Sequence, residues 1–260
     1  MPEVKSSPCF LKSGGMNPER PLFVYLPGMD GTGRLLRTQT KKLETAFDLR
    51  CLAIPKDNLT SWEELTQLVL NLIAEELKPR RSRSVYLCGE SFGGCLALKL
   101  ALKVPELFDR IILTNPATSL NHKSGLLWLA QWAQWLPDFF YELCLFPFLS
   151  FLSTLENIAP GDRHALLEAI KSLPVRTVIW RAMMLDAFEL TPAQLKAFVQ
   201  PVLVIAAGAD KLWPSVLEAQ SLVNYLPNAK MLALPESGHA CLLETEVDLL
   251  KIMKEQGFLG

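Results

Sequence analysis

The sequence predicts an α/β protein, a mostly parallel β-sheet flanked by helices with one inserted helical segment. Three observations carry this: apolar runs of strand length alternate with helical patterns, a glycine-flanked serine stands where a strand passes into a helix, and one long interval breaks the alternation. Strands of a parallel sheet are covered on both faces, so they read as continuous apolar runs rather than alternating ones. Such runs occur at Leu22–Leu26, Arg50–Ile54, Ser84–Cys88, Arg110–Thr114, Pro201–Ala206 and Lys230–Leu234. Between the second and third, Trp62–Leu77 places Leu65, Leu68, Val69, Leu72, Ile73 and Leu77 at helical spacing with polar residues opposite. Phe92–Lys103 reads as a second, shorter helix. Strand alternating with helix is the signature of an open α/β sheet.

The alternation stops between Ala117 and Gln200, where about 80 residues separate two expected strands, far more than a crossover needs. The expected organisation is therefore a core of residues 1–117 and 200–260 with a helical insertion at 118–199. The insertion is rich in aromatic side chains: Trp128, Trp132, Trp135 and Phe139 recur at steps of four, three and four, which lines one helical face until Pro137 disturbs it.

Composition excludes several function classes. With 260 residues, 26 Lys plus Arg against 27 Asp plus Glu and half the residues apolar, the chain is long enough for one substantial core and carries no charge excess that would draw a polyanion. No basic block suited to nucleic acid is present. The six cysteines show no C-x-x-C pair and no zinc spacing, so reduced buried thiols and no metal are expected. Residues Met1–Phe10 lack the basic start and apolar stretch of a secretory signal, so a cytoplasm-like compartment is expected. The most apolar region, Leu126–Leu152, is interrupted by Gln131, Gln134, Pro137, Asp138, Glu142 and Pro147, short of the roughly 18 uninterrupted residues of a membrane span.

The candidate chemistry centres on Gly89-Glu90-Ser91-Phe92-Gly93. A sharp strand-to-helix turn forces the central serine into a strained backbone conformation, and only small neighbours leave room for it. The competing reading is a glycine-rich turn with an idle serine. A serine hydroxyl needs a base, and only three histidines exist. His122 and His164 fall in the insertion, whereas His239, in Glu236-Ser237-Gly238-His239, follows the last expected strand and is the candidate base, with a pKa expected near 6.5. Asp210, in Gly208-Ala209-Asp210-Lys211-Leu212-Trp213-Pro214, follows the preceding strand and is the candidate acid. The competing reading makes it a turn or capping residue before the next helix, and Asp186 in the insertion is its rival. The turn Leu26-Pro27-Gly28-Met29-Asp30-Gly31-Thr32-Gly33 lacks the phosphate-binding fingerprints G-x-x-x-x-G-K-[ST] and G-x-G-x-x-G. It is placed instead to stabilise a developing oxyanion, with the backbone N–H groups of Met29 and Phe92 as donors.

With Ser91, Asp210 and His239 in this order, the chain resembles the α/β-hydrolase superfamily over Pro21 to about Leu250. More narrowly, Leu26–Gly33, Gly89–Leu98 and Asn115-Pro116-Ala117-Thr118-Ser119 resemble the esterase/lipase/thioesterase branch typified by plastid phytyl ester synthases. The resemblance implies the α/β-hydrolase fold, a mostly parallel sheet flanked by helices with an inserted helical lid. It implies a serine acyl hydrolase acting without a cofactor on a lipophilic long-chain ester or thioester. The alternative activity it implies is acyl transfer to an alcohol such as phytol or diacylglycerol, and a non-catalytic receptor or scaffold is the third reading. The resemblance covers only the hydrolase half of such proteins. The H-x-x-x-x-D motif of their acyltransferase-like half does not occur in these 260 residues, since neither His122 nor His164 has an Asp five residues on and His239 has Glu244 there. A lipophilic substrate gives the stripe Trp128, Trp132, Trp135 and Phe139 a role as substrate-binding wall. The stripe would otherwise pack the insertion onto the core, or dock a lid peripherally on a membrane in a cytoplasmic or plastid-stroma-like compartment. No obligate protein partner is indicated.

Overall fold

The computed structural model describes residues 7–12, 14–80, 84–118, 120 and 153–259. Among them seven strands form one sheet: β1 (Cys9–Leu11), β2 (Leu22–Leu26), β3 (Asp48–Ala53), β4 (Val85–Glu90), β5 (Arg110–Thr114), β6 (Val202–Ala207) and β7 (Ala229–Leu234). Their spatial order is β1-β3-β2-β4-β5-β6-β7. Every pairing is parallel except that of β1 with β3. Eight helices are described: α1 (Arg37–Leu43), α2 (Trp62–Leu77), α3 (Phe92–Lys103), α4 (Pro160–Lys171), α5 (Val175–Asp186), α6 (Pro192–Lys196), α7 (Ser215–Tyr225) and α8 (Leu249–Glu255).

Burial on both faces follows from strand alternation. In β2, Leu22, Val24 and Leu26 join one core with α2, α3 and α7, while Phe23 and Tyr25 join the opposite core with α1 and α8. Strand β6 divides likewise, Val202, Val204 and Ala206 facing the first core and Leu203, Ile205 and Ala207 the second. The periodicity expected of Trp62–Leu77 is realised as α2, whose start is fixed by a capping box in which Ser61 and Glu64 each satisfy the other's backbone N–H.

From β2 the chain crosses to β3 on one side, and β4 lies on the other. The carboxyl ends of β2 and β4 therefore flank a topological switch point, where open α/β sheets bind ligands. Helices α4, α5 and α6 lie between β5 and β6 in the chain. Met184, Leu185, Phe188, Leu190, Leu195 and Phe198, from the end of that segment, share the first core with α2 and α3. Trp128, Trp132, Trp135 and Phe139 lie outside the described residues. No described helix is long and apolar enough to cross a membrane. No described cluster of His, Cys, Asp and Glu is suited to a metal ion, and the five described cysteines are free.

Candidate active site

Strand β4 ends at Glu90 and α3 begins at Phe92, so Ser91 alone makes the turn, at φ 52° and ψ −112°. That conformation is disfavoured for a residue with a Cβ, and its surroundings hold it. The Ser91 N–H donates to the Thr114 carbonyl at 2.9 Å, and the Ser91 carbonyl accepts from Gly94 at 2.9 Å and from Ala117 at 3.3 Å. A Cβ on Gly89 would lie 2.3 Å from the Gly93 carbonyl oxygen, and one on Gly93 2.1 Å from that of Leu26. The two glycines of G-x-S-x-G thus let the elbow close on itself and on β2.

Ser91 and His239 meet side chain to side chain, Oγ lying 2.8 Å from Nε2. On the far side of the ring, Nδ1 lies 2.7 Å from Asp210 Oδ2. Asp210 is fixed in turn, with Oδ1 accepting from the N–H groups of Leu212 at 2.9 Å and Trp213 at 3.0 Å, and Oδ2 from the Ser215 hydroxyl at the start of α7. Asp210 closes the turn that precedes α7, whose N-cap is Pro214, and the same carboxylate faces the His239 ring. The rival Asp186 is exposed at the end of α5, and His164 is exposed on α4. His122 lies outside the described residues.

The His239 loop is braced from two directions. Asn115, at φ 44° just beyond β5, donates from Nδ2 to the His239 carbonyl at 2.7 Å and accepts at Oδ1 from Ala207 at 2.7 Å. Gly238 donates to Glu244 Oε1 at 2.8 Å, and its α-carbon packs so closely on Ser153 and Thr154 that a Cβ would lie 2.6 Å from the Thr154 nitrogen. The Asn-Pro-Ala run after β5 was legible as a motif, but its bracing role needs the tertiary structure.

Electrostatics at the site follow from burial. Burial opposes a charged His239, yet the charge and hydrogen bond of Asp210, with a contribution from Glu90, outweigh it and raise its pKa above the ordinary histidine value. Burial likewise works to raise Asp210, but His239, Ser215 and the Trp213 amide bring its carboxyl below the usual range. Glu90, immediately before Ser91, is a third buried acid. Burial, reinforced by Asp30 and opposed by the Tyr25 hydroxyl and by His239, pushes it up to about 7. Tyr25 donates to Glu90 Oε2 beneath the elbow. Glu90 occupies the unspecified second position of G-x-S-x-G, so the motif by itself assigns it no role.

The two oxyanion candidates lie in segments that adjoin Ser91. Phe92 opens α3, where the first N–H groups have no partner within the helix and the helix dipole favours negative charge. Its ring stacks on Trp62 with centroids 4.6 Å apart. Met29 lies in a turn closed by Gly31 N–H to the Gly28 carbonyl at 3.0 Å, and the Cβ position of Gly28 is 3.8 Å from that of Ser91.

A parallel sheet with a serine elbow after one central strand and a hydrogen-bonded histidine and aspartate arriving from later strand ends defines the α/β-hydrolase class. Residues 58–246 match the Hydrolase_4 family, described as serine aminopeptidase S33, and the chain belongs to that family. It is a hydrolase of the α/β type. The chain is 31% identical over 263 residues to phytyl ester synthase 1, chloroplastic, of Arabidopsis thaliana, covering 92% of this chain and 37% of the relative. It is 30% identical to phytyl ester synthase 2 of the same plant, covering 94% and 38%. The chain thus spans less than two fifths of the length of these two relatives. The pimeloyl-[acyl-carrier protein] methyl ester esterase of Nitrosomonas europaea is 28% identical over 71% of this chain and 73% of its own. Among solved structures, the α/β hydrolase MGS-M2 from a Medee basin deep-sea metagenome library superposes with a TM-score of 0.76 at 18% identity, covering 96% of this chain and 93% of that one, a likeness of fold.

Proposed function

We propose that this enzyme is a serine acyl hydrolase acting on a lipophilic long-chain ester or thioester. The observation that carries the reading is the continuous chain from Ser91 Oγ to His239 Nε2 at 2.8 Å and from Nδ1 to Asp210 at 2.7 Å. Ser91 attacks the acyl carbonyl while His239 takes its proton. Asp210 holds the ring in the tautomer that presents a bare Nε2 to the serine, and stabilises the imidazolium that forms. The Met29 and Phe92 N–H groups bind the oxyanion. Collapse expels the alcohol or thiol with the proton from His239, and water, activated by the same histidine, releases the acid from the acyl-enzyme.

Transfer of the acyl group to an alcohol such as phytol or diacylglycerol is the second reading, favoured by the two relatives named for phytyl ester synthesis. It needs only an alcohol in place of water in the second half-reaction. Acyl product analysis with water and phytol in competition separates the two, and an aminoacyl anilide run beside the esters tests the peptidase activity for which the family is described.

In this reading residues 118–199 form a helical lid over the carboxyl edge of the sheet, contacting a membrane surface peripherally in a cytoplasmic or plastid-stroma-like compartment. Trp128, Trp132, Trp135 and Phe139 then form a wall of the acyl site. Each methylene buried there contributes about 0.8 kcal/mol, so lengthening the acyl chain by two carbons is expected to raise kcat/KM by up to about tenfold until the site is full. Trp132→Ala with Trp135→Ala should flatten that dependence more than it lowers turnover of an acetyl ester. Equal losses on short and long chains would make the stripe structural.

The pH profile tests the base. Only neutral His239 accepts a proton, and its pKa is raised, so kcat/KM is expected to rise with pH through a midpoint above about 6.5. Glu90 is pushed up to about 7 and its anion supports the imidazolium, so the ionisation of Glu90 is coupled to that of His239 and broadens the limb. Glu90→Gln removes that anion. The midpoint should move to lower pH, by up to about one unit, and the limb should narrow to a single ionisation. An unmoved profile would separate Glu90 from the base.

A further inference from the structure

We propose that Arg181 of α5 is a positioning residue that holds the turn carrying the Met29 amide in register with Ser91, so that the segment between β5 and β6 supports the oxyanion site as well as any substrate contact. The proposal rests on the serine acyl hydrolase reading and adds to it a residue that touches neither substrate nor triad.

Arg181 is one of the largest fully buried side chains, 2% exposed. Its guanidinium bridges the carboxyl ends of two strands, Nη1 donating to the Met29 carbonyl at 2.5 Å and Nη2 to the Pro55 carbonyl at 3.2 Å. The first bond fixes the peptide that follows Met29, and the candidate oxyanion donor lies in the peptide that precedes it. The two share the Met29 α-carbon. The turn is shaped to receive this group. Gly31 has φ +67°, and a Cβ there would lie 2.6 Å from Nη1, 3.0 Å from Nη2 and 3.1 Å from Cζ. Asp30, in the same turn, accepts at Oδ2 from the Thr32 amide and hydroxyl, and the charge of Arg181 acts on it. Burial raises the Asp30 carboxyl, and the bonds from Thr32 together with the charge of Arg181 counter it. Burial lowers Arg181 to about 10, opposed by Asp30, so the fork stays charged at neutral pH.

The helix that carries Arg181 is itself bolted down. Thr177 donates to the Lys56 carbonyl at 2.6 Å, the Trp180 indole to that of Thr60 at 3.1 Å, and the Trp62 indole to that of Met184 at 2.7 Å. Three side-chain bonds thus tie α5 to the loop between β3 and α2 and to the start of α2, and the guanidinium reaches the Met29 turn from a fixed base. A planar fork can hold two carbonyls of different loops at a set separation, which a point-charged ammonium or an apolar side chain cannot. Misplacing an oxyanion donor by about 1 Å costs up to about 10² in rate, and losing one outright 10² to 10³.

The test compares wild type with Arg181→Met, which keeps much of the volume and removes every donor, and Arg181→Lys. The readouts are kcat and KM on a soluble ester, inhibition by an alkylboronic acid that forms a tetrahedral adduct on serine, and thermal melting. The expected result is a fall in kcat of about 10- to 100-fold in Arg181→Met with KM within about threefold, matched by an equal loss of boronate affinity, and partial recovery in Arg181→Lys. If Arg181→Met does not fold because the buried Asp30 carboxylate loses the neighbouring positive charge, Asp30→Asn/Arg181→Met removes both charges and is read in the same way. A folded variant with wild-type kcat and boronate affinity overturns the proposal, as does a raised KM at constant kcat. A wild-type enzyme that forms no boronate adduct at Ser91 fails at the earlier step, the serine mechanism itself.

Discussion

Ser91→Ala and His239→Ala are each expected to bring ester turnover to near background, a loss on the order of 10⁶ in kcat, because the nucleophile and its base act as one unit. Asp210→Asn is expected to cost on the order of 10⁴ while leaving the fold intact. Both Asp210 oxygens are engaged, Oδ1 by two amides and Oδ2 by Ser215 and His239. An amide in its place would turn an N–H toward Nδ1, or force the tautomer whose Nε2 carries a proton and cannot accept one from serine. Steady-state turnover of a soluble ester decides. Near wild-type rates in Asp210→Asn, with a collapse in Asp186→Asn, would move the acid to α5.

The second large effect is on stability. Gly93→Ala places a Cβ 2.1 Å from the Leu26 carbonyl oxygen, a backbone atom at the end of a central strand. The elbow must separate from β2 to admit it, at a cost of about 3 kcal/mol or more. A melting temperature lower by on the order of 10 °C, with activity lost, is the expected outcome. Gly161→Ala is the control. It sits at the start of α4 with nothing within 4 Å of its Cβ position, and should melt at or slightly above the wild-type temperature, since alanine limits the unfolded chain. Equal melting of the two variants would remove the steric account of the elbow.

Much of this was legible in the sequence because the sheet is parallel and buried. The apolar runs Leu22–Leu26 and Arg110–Thr114 coincide with β2 and β5 residue for residue, and the helical patterns Trp62–Leu77 and Phe92–Lys103 with α2 and α3. Strand β1, three residues long and antiparallel at the edge, is too short to produce a period. Ser91, His239 and Asp210 were legible because each follows an apolar strand, and the sheet brings strand ends to one edge. Asn115, Glu90, Arg181 and Ser215 were not assigned roles, since each acts through partners between 5 and 152 residues away in sequence. Such pairings depend on how loops cross one another, and no local period records them.

The measurement that tests the central claim most directly is the intact mass of the enzyme, rapidly quenched during turnover of a long-chain p-nitrophenyl ester, followed by peptide mapping. A covalent intermediate on the elbow serine predicts a species heavier by one acyl group, with the added mass on Ser91, accumulating in a burst with p-nitrophenol and absent from Ser91→Ala. Acyl mass mapping to another residue, or undiminished turnover in Ser91→Ala, would contradict it.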